Sequence, residues 1–262
     1  MISLSVNVNK IAWLRNARAG TRPDLVAGAQ TIIDAGAQGI TVHPRPDQRH
    51  ITAADTRALA ATVARQPQIE FNIEGNPGTR ARANGYPGFD ALIEECRPTQ
   101  ATLVPDSDAQ LTSDHGFDLL PGSATNKQRL MNHIRRFQRT GARVSLFMDP
   151  DPEQIKAAAD CGTDRIELYT GAFADAFLRY GENDARTQRE FARYVAAAQT
   201  ASSLGLGINA GHDLDQQNLP LFASLPGLAE VSIGHALIAD ALDAGLAATV
   251  TSYLRLLAPV GR

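Results

Sequence analysis

Gly39-Ile-Thr-Val-His-Pro-Arg-Pro-Asp-Gln-Arg-His50 is the stretch around which the chain is organised. It begins as a short β-branched strand and breaks at His43-Pro44 into a polar loop that carries Arg45. Thr52 follows as the N-cap of a predicted helix. An imidazole at the end of a buried strand, followed by a basic loop, is typical of an acid/base group beside an anion site. A solvated loop that contains a histidine by chance is the plainer interpretation.

The same strand-then-helix unit recurs along the whole chain. Strands are predicted at residues 3–8, 39–43, 69–73, 101–104, 144–148, 165–169, 207–210 and 230–233, mostly followed by helical runs. Residues 9–22 are predicted to be a loop. Strict alternation implies parallel strands. An open doubly wound sheet is the alternative, but no Gly-x-Gly-x-x-Gly follows the first strand. We predict one α/β domain over residues 1–262, a (β/α)8 TIM barrel with insertions after strands one, three and four.

Composition narrows the possible functions. The chain has 262 residues, is 44% hydrophobic and carries a net charge of −3, so no global basic field favours nucleic acid. Cys96 and Cys161 are isolated and show no metal-ligand spacing, which indicates a reducing compartment. No secretory leader or run of ~20 apolar residues is present. We therefore expect a cytoplasmic protein with no membrane partner and no metal site.

Three of the six histidines fall at or just past the end of a predicted strand: His43, His212 and His235. In a barrel these strand ends open onto one face, where the active site lies. His50 belongs to a loop on the same face. Of the other two, His133 falls on the polar side of a helix and His115 in an irregular loop, and neither is given a role.

Glu70 and Glu167 are each flanked by apolar residues within a predicted strand. A carboxylate in a barrel interior is costly unless it is paired or hydrogen-bonded, so such a group is a candidate for function. The alternative is that either side chain points outward, because the pattern does not decide which face Glu70 shares.

Two glycine-histidine pairs, Gly211-His212 and Gly234-His235, end strands seven and eight. Barrels commonly bind phosphate there, on backbone N–H groups and a helix N-terminus. Arg45 and His50 suggest a second anion site, and Arg18 in the first loop is placed to clamp either one. Two anion sites beside several acid/base groups indicate two phosphorylated substrates, or one bisphosphate.

Six motifs together resemble the pyridoxine 5′-phosphate synthase family. They are Asn7-Val-Asn-Lys-Ile-Ala-Trp-Leu-Arg-Asn-Ala-Arg18, Gly39 to Thr52, Val144-Ser-Leu-Phe-Met-Asp149, Ile166-Glu-Leu-Tyr-Thr-Gly171, Ile208-Asn-Ala-Gly-His212 and Ser232-Ile-Gly-His235. The similarity covers essentially the whole chain in order. It implies a phosphate-binding barrel, assembled as a homo-octamer, that uses no cofactor or metal. The implied reaction condenses 1-deoxy-D-xylulose 5-phosphate with 3-amino-2-oxopropyl phosphate to pyridoxine 5′-phosphate, phosphate and water.

The resemblance also implies residue roles. By this similarity His43, Glu70 and His212 are the acid/base residues and Glu167 stabilises the transition state. Arg45, His50 and Thr112 match contacts to deoxyxylulose phosphate, while Asn7, Arg18, Gly234 and His235 match contacts to the amino-oxopropyl phosphate.

The chain departs from the common family motifs in three places. The usual Asn-x-Asp-His reads Asn7-Val-Asn9-Lys10, the glycine usual after the strand-seven histidine is Asp213, and Gly75 to Gly88 is an insertion. Asn9 and Lys10 are expected to contact deoxyxylulose phosphate, with Lys10 in place of a histidine. Asp213 is expected at the phosphate site, where its backbone N–H donates.

Two other functions compete with this synthase. One is a barrel aldolase or isomerase acting on a single sugar phosphate. A lysine-dependent aldolase would need Lys10 to form the imine, because Lys127 and Lys156 fall in helices. A metal-dependent version would gather His43, His212 and Glu70. A sensor of sugar phosphates would keep the anion sites without turnover. The carboxylates within strands argue against the sensor, since a binding protein has no need to bury them.

Overall fold

Eight parallel β-strands close into a barrel in chain order, in a computed structural model that describes residues 1–18 and 20–258. The strands are β1 (Ser3–Asn7), β2 (Gly39–Val42), β3 (Glu70–Gly75), β4 (Gln100–Leu103), β5 (Arg143–Met148), β6 (Arg165–Tyr169), β7 (Gly207–Gly211) and β8 (Leu228–Ile233). Pairing of β8 with β1 closes the barrel. The predicted (β/α)8 TIM barrel is confirmed. Residues 19 and 259–262 of the predicted domain, 1–262, lie outside the described residues.

Helices surround the barrel. They are α1 (Asn9–Asn16), α2 (Leu25–Asp34), α3 (Ala53–Val63), α4 (Phe89–Cys96), α5 (Lys127–Gln138), α6 (Pro152–Asp160), α7 (Gly171–Tyr180), α8 (Ala185–Ser203), α9 (Leu219–Phe222), α10 (His235–Ala244) and α11 (Leu246–Leu257). More than one helix follows β1, β6 and β8.

The insertions differ in part from the prediction. The predicted loop after β1 contains α1, and the extra helices after β6 and β8 were not predicted. The segments after β3 and β4 are irregular, as expected, at residues 76–88 and 104–126. The single final helix that was predicted is two helices, because Gly245 between them has φ +83°. That left-handed conformation ends a helix and is accessible to glycine.

Side chains on the strands alternate between two faces. Outward residues such as Val6, Ile40 and Phe71 join the apolar core between strands and helices. Many inward positions are polar, and the small ones among them, all buried, are Ser5, Thr41, Asn72, Thr102, Ser145, Asn209 and Ser232. Asn72 Nδ2, for example, donates to Thr41 Oγ1 at 3.3 Å. Barrel interiors are usually filled by branched apolar residues. In this barrel, hydrogen bonds between polar side chains take the place of that apolar packing.

The predicted cap of α3 also ties two helices together. Thr52 Oγ1 accepts from the Asp55 N–H at 3.1 Å, and Asp55 Oδ2 accepts from the Thr52 N–H at 2.9 Å, which makes a capping box. Arg15 of α1 donates twice to the same carboxylate, at 2.6 and 2.8 Å. Burial alone would raise the pKa of Asp55, but the hydrogen bonds from Arg15 and Thr52 outweigh it and lower that pKa.

Asp55→Ala is therefore expected to lower the free energy of unfolding by about 1–3 kcal/mol at pH 7, because both the cap and a bidentate ion pair are lost. Since the folded-state pKa of Asp55 is lowered, its stabilisation is complete above the unfolded value of about 3.9 and disappears as the pH falls through the folded value. Urea denaturation at pH 7 and at pH 3 measures both effects. Arg15→Ala is the matched control, since it keeps the capping box. An equal loss in both variants would contradict a contribution from the cap.

Candidate active site

A cavity of about 370 Å³ opens at the carboxyl ends of the strands. The predicted site residues that line it are Asn7, Asn9, Lys10, His43, Arg45, His50, Thr112, Glu167, His212, Asp213, Gly234 and His235. Trp13, Glu74 and Phe147 line it as well. The structure thus brings most of the predicted residues to one place, but it leaves Glu70 and Arg18 outside.

Glu70 lies at the opposite end of the barrel, which corrects the expectation that it is a catalytic residue in the cavity. It is the first residue of β3, and its carboxylate pairs with Arg143 at the start of β5. Glu70 and Glu74 share the inward face, because side chains alternate with a period of two. Four residues of strand separate them by about 13 Å. Glu74, at the carboxyl end, is the β3 carboxylate that reaches the cavity.

Glu74 is buried between two predicted site residues. Asn7 Nδ2 donates to Glu74 Oε2 at 3.3 Å, and His43 Nδ1 lies 3.7 Å from the same oxygen. Burial, followed by the nearby carboxyls of Glu167 and Asp106, raises the pKa of Glu74 well above its usual range. The protonated form of Glu74 is therefore favoured, and this form can donate a proton to a bound substrate.

His43 stands between Glu74 and a second buried carboxyl, Asp106. Its Nε2 lies 3.3 Å from Asp106 Oδ2, and its backbone N–H donates to Asn9 Oδ1 at 3.0 Å. Burial, followed by the positive charge of Arg45, lowers the pKa of His43 well below its usual value. The imidazole is therefore neutral near pH 7 and available to accept a proton.

Asp106 organises the loops on this side of the cavity. Its Oδ2 accepts from Arg45 Nη2 at 2.7 Å and from Ser113 Oγ at 3.0 Å. Burial raises the pKa of Asp106 in spite of the charge of Arg45. This carboxyl therefore joins the loop after β2 to the loop after β4 and holds His43 from the side opposite Glu74.

Glu167 of β6 faces the cavity floor and is 4% exposed. Burial, followed by Glu230 on β8, raises its pKa to about 8, while the hydroxyl of Thr102, 3.4 Å away, opposes the shift. Glu167 is thus largely protonated at neutral pH. The cavity combines neutral imidazole with protonated carboxyl groups, which is the condition for moving protons in both directions.

Aromatic and cationic groups from α1 line another wall. Lys10 lies in the first turn of α1, where the sequence predicted a loop. Its Nζ stands 4.6 Å from the centre of the Trp13 ring, and the His50 ring lies 5.9 Å from that ring. Burial lowers the pKa of Lys10. Burial, then the charges of Arg45 and Lys10, lowers the pKa of His50 to about 3, so its imidazole is neutral.

The opposite wall is formed where β8 ends and α10 begins. Gly234 is the N-cap of α10, and a Cβ at this position would lie 3.0 Å from the Asn7 Cβ. A larger residue at this position would force β8 and β1 apart by a few tenths of an ångström. His235 and Ala236, the first residues of α10, line the cavity. A helix N-terminus of this kind attracts anions.

Arg18 does not reach this cavity. It is exposed, follows the end of α1 and is not among the residues that line the cavity. The expected place of Arg18 in a loop beside the site is therefore corrected, because the predicted loop after β1 contains a helix. Its contact with a substrate phosphate stays a prediction.

The sequence also matches a known protein family. The family described as "Pyridoxal phosphate biosynthesis protein PdxJ" matches residues 4–259. The chain belongs to the PdxJ family. Its curated relatives include the pyridoxine 5′-phosphate synthase of Xanthomonas oryzae pv. oryzae, 54% identical over 98% of this chain and 96% of the relative. The enzyme of the same name from Xylella fastidiosa is 52% identical over 97% of this chain and 94% of the relative.

Solved structures outside the PdxJ family share the fold. The 3-hexulose-6-phosphate synthase of Salmonella typhimurium superposes with a TM-score of 0.59 at 12% identity, covering 98% of both chains. The thiamine phosphate pyrophosphorylase of Pyrococcus furiosus gives 0.59 at 10% identity over 98% of this chain and 95% of its own. At these identities the likeness shows the barrel alone.

Asn9, Lys10 and Asp213, which are expected to differ from the common family motif, line the cavity. Asn9 accepts from the His43 backbone N–H, the Lys10 ammonium lies over the Trp13 ring, and Asp213 is hydrogen-bonded to His212. That they depart from the motif stays a prediction. The segment from Gly75 to Gly88 is closed by one antiparallel bridge, Arg80 to Gly88, and whether it is an insertion stays a prediction.

Sequence reasoning missed Asp106 and Trp13 and misjudged Glu74. Glu74 directly follows Ile73, the last residue of the predicted third strand, and this position at the carboxyl end of a strand is a signal for the active-site face. In the structure β3 extends to Gly75 and includes Glu74. Asp106 lies three residues after the end of β4 at Leu103, directly after Pro105, which is a comparable signal. Within residues 1–18 and 20–258, no three His, Cys, Asp or Glu side chains form a metal-binding group, and none of the helices is long and apolar enough to span a bilayer.

Proposed function

We propose that this PdxJ family member condenses 1-deoxy-D-xylulose 5-phosphate with 3-amino-2-oxopropyl phosphate to give pyridoxine 5′-phosphate, phosphate and water. The observation that carries the proposal is the grouping of His43, Glu74, Glu167 and His212 around one cavity. Imine formation, dehydration, enolisation and ring closure each move protons, so the reaction requires several acid/base groups at one pocket.

The protonation states suggest a separate role for each acid/base group of the cavity. Neutral His43 accepts a proton from carbon or nitrogen of the substrate, and protonated Glu74, whose Oε2 lies 3.7 Å from His43 Nδ1, supplies one to the substrate. Protonated Glu167 on the cavity floor donates a hydrogen bond to oxygen that gains negative charge. His212 acts from the β7 side.

Two walls of the cavity suit the two phosphates. The N-terminus of α10 with Gly234, His235 and Asn7 would hold the amino-oxopropyl phosphate. Arg45, His50 and Thr112, together with Asn9 and Lys10, would hold deoxyxylulose phosphate on the other side. Arg18 is given no contact in this arrangement.

The test is a turnover assay with both phosphates, with the product identified by mass and phosphate release measured in parallel. We expect product only when both substrates are present, and unchanged turnover with a chelator and no added metal. Each substrate alone is the control. Turnover of deoxyxylulose phosphate by itself, or activity that chelation abolishes, would contradict the proposal.

A separate arm of the test addresses an aldolase that uses Lys10. The ammonium of Lys10 over the Trp13 ring favours the charged form, which forms no imine, although burial lowers the pKa of Lys10. Borohydride reduction with deoxyxylulose phosphate alone is therefore expected to leave Lys10 unmodified on peptide mass mapping. A stable adduct on Lys10 would transfer the protein to the aldolase class.

We further propose that the enzyme is a cytoplasmic homo-octamer. The family resemblance supports the octamer, and exposed Leu14, Leu178 and Leu242 on three helices offer apolar surface for contacts between subunits. Cys96 and Cys161 are both free, as expected in a reducing compartment. Light scattering on the purified protein measures the subunit number, and a monomer would contradict the proposal.

A further inference from the structure

Three side chains form a hydrogen-bonded line at the edge of the cavity. Thr112 Oγ1 lies 2.8 Å from His212 Nε2, and His212 Nδ1 lies 2.8 Å from Asp213 Oδ2. Thr112 comes from the loop after β4, whereas His212 and Asp213 follow β7. The imidazole is thus held from both sides, by a hydroxyl within the cavity and by a carboxylate behind it.

The backbone that presents this pair is strained. His212 has φ +82° and Asp213 has φ +52°, a region that residues with a Cβ rarely adopt. The strain is fixed by neighbours: the Thr170 hydroxyl donates to the backbone oxygens of Gly211 and His212, and Asn218 Nδ2 donates to the Asp213 oxygen at 3.1 Å. Backbone strain that is held from both sides is characteristic of positions where the side chains are used.

The pairing determines which nitrogen of His212 faces the substrate. A carboxylate accepts only, so Nδ1 must carry the proton that it donates to Asp213. Nε2 then faces the Thr112 hydroxyl, as an acceptor in the neutral ring and as a donor in the imidazolium. The hydrogen bond from His212 lowers the pKa of Asp213. Burial opposes this shift, and the charges of His212 and His235 add to it. The carboxylate is therefore charged and favours the protonated form of the ring.

We propose that Asp213 is a positioning residue, which fixes the tautomer of His212 and stabilises its imidazolium so that His212 and Thr112 exchange protons with the substrate. This inference rests on the proposed function and replaces the expected role of Asp213 as a phosphate contact. In one transfer, Nε2–H passes its proton to Thr112 Oγ while the Thr112 hydroxyl proton moves to a substrate oxygen. His212 is left neutral, with Nδ1–H still bound to Asp213.

Other titratable groups interact with the pair. They are His43 after β2, Tyr169 on β6 and His235 at the start of α10. Glu167 lies against Gly211 beside them, whereas Asp114 after β4 and Asp149 after β5 act on Tyr169. The Tyr169 ring packs edge-on against His212 at 5.3 Å between centroids. Among the carboxylates of the described residues, Asp213 alone hydrogen-bonds the ring.

Asp213→Asn tests the negative charge of Asp213 separately from its hydrogen bond to His212. Asparagine tolerates the left-handed backbone and keeps an oxygen that can accept from Nδ1, but it loses the negative charge. Histidine C2 deuterium exchange followed by mass spectrometry reports the titration of each histidine in an intact assembly. We expect the pH dependence of exchange at His212 to move to lower pH in this variant, because the negative charge beside the ring is lost.

The loss of this charge should also change the pH dependence of turnover. The limb of the kcat/KM profile governed by His212 reports the free enzyme, as the exchange experiment does. It should move to lower pH by the amount measured in exchange, whether His212 serves as acid or base, while KM for both phosphates stays within about twofold. Asp213→Gly, which relaxes the backbone and removes the acceptor, should lower kcat further. Asp114→Asn, which removes a nearby carboxylate that does not touch His212, is the matched control and should shift neither measurement.

Two outcomes would overturn the proposal. One is an unchanged His212 midpoint in Asp213→Asn. The other is a lowered KM for one phosphate with the pH profile unmoved, which would mean that Asp213 acts on the substrate by repulsion. The exchange experiment needs no substrate, so a wild-type protein that makes no pyridoxine 5′-phosphate would refute the proposed function without deciding this inference.

Discussion

Glutamine in place of Glu74 is expected to reduce kcat by about 10²–10⁴-fold, which is the usual contribution of a general acid or base. The amide keeps the shape of the side chain and its contact with Asn7 but can no longer accept or release a proton. Because Glu74 is buried with a raised pKa, replacing it by a neutral group should cost little stability. Steady-state kinetics with both phosphates and thermal unfolding together measure the two effects.

Glu70→Gln is the matched control, since the same change is made on the same face of the same strand. It breaks the pair with Arg143, which is about one third exposed, so the free energy of unfolding should fall by up to about 1 kcal/mol. Turnover should stay within about twofold of the wild type, because Glu70 lies at the far end of the barrel. A large loss of kcat in Glu70→Gln, with Glu74→Gln nearly intact, would reverse the assignment of the two carboxylates.

His43→Asn is the second substitution with a large expected effect, about 10²–10³-fold on kcat. The neutral imidazole lies between Glu74 at 3.7 Å and Asp106 at 3.3 Å, and asparagine cannot accept a proton at that place. KM for either phosphate should change much less than kcat. His43 lies among acid/base groups, and the two walls proposed to bind the phosphates lie on either side of it.

The control for this substitution is His133→Asn, on α5 and outside the cavity, where the ring contacts Asp90 at 3.2 Å. It should lower the melting temperature slightly and leave kcat unchanged. If His43 served only to hold Asp106 in place, His43→Asn would instead melt earlier and keep its turnover number, and a change confined to stability would reject the catalytic role.

Local patterns in the sequence determined the barrel and most of its active-site rim. Alternating apolar residues and breaks at glycine or proline place His43, His212 and Gly234 at strand ends, and parallel strands bring all such ends to one face. The capping box of Thr52 and Asp55 is likewise a matter of residues three apart. Family membership followed from motifs that persist in order along the chain.

Other features depend on contacts between residues distant in sequence. The carboxyl end of β3 is set by pairing with β4, where Gly75 lies opposite Leu103, and this extension carries Glu74 into the cavity and leaves Glu70 at the other end. Nothing in the residues around either glutamate reports that pairing. Arg18 was misplaced for a similar reason: α1 packs on α2 and α10, and that packing decides where the chain turns away.

Hydrophobic periodicity and turn residues act over a few positions, so the class of fold, the family and the set of strand ends could be predicted from the amino-acid sequence. Contacts formed on folding determine which carboxylate enters the cavity and that Asp106 supports His43. They also bring Thr112 to His212 from a loop one hundred positions away. The tertiary structure also decides the protonation states. The pKa shifts of His43, Glu74 and Glu167 come mainly from loss of water in the closed barrel, and burial of that kind is a property of the assembled fold.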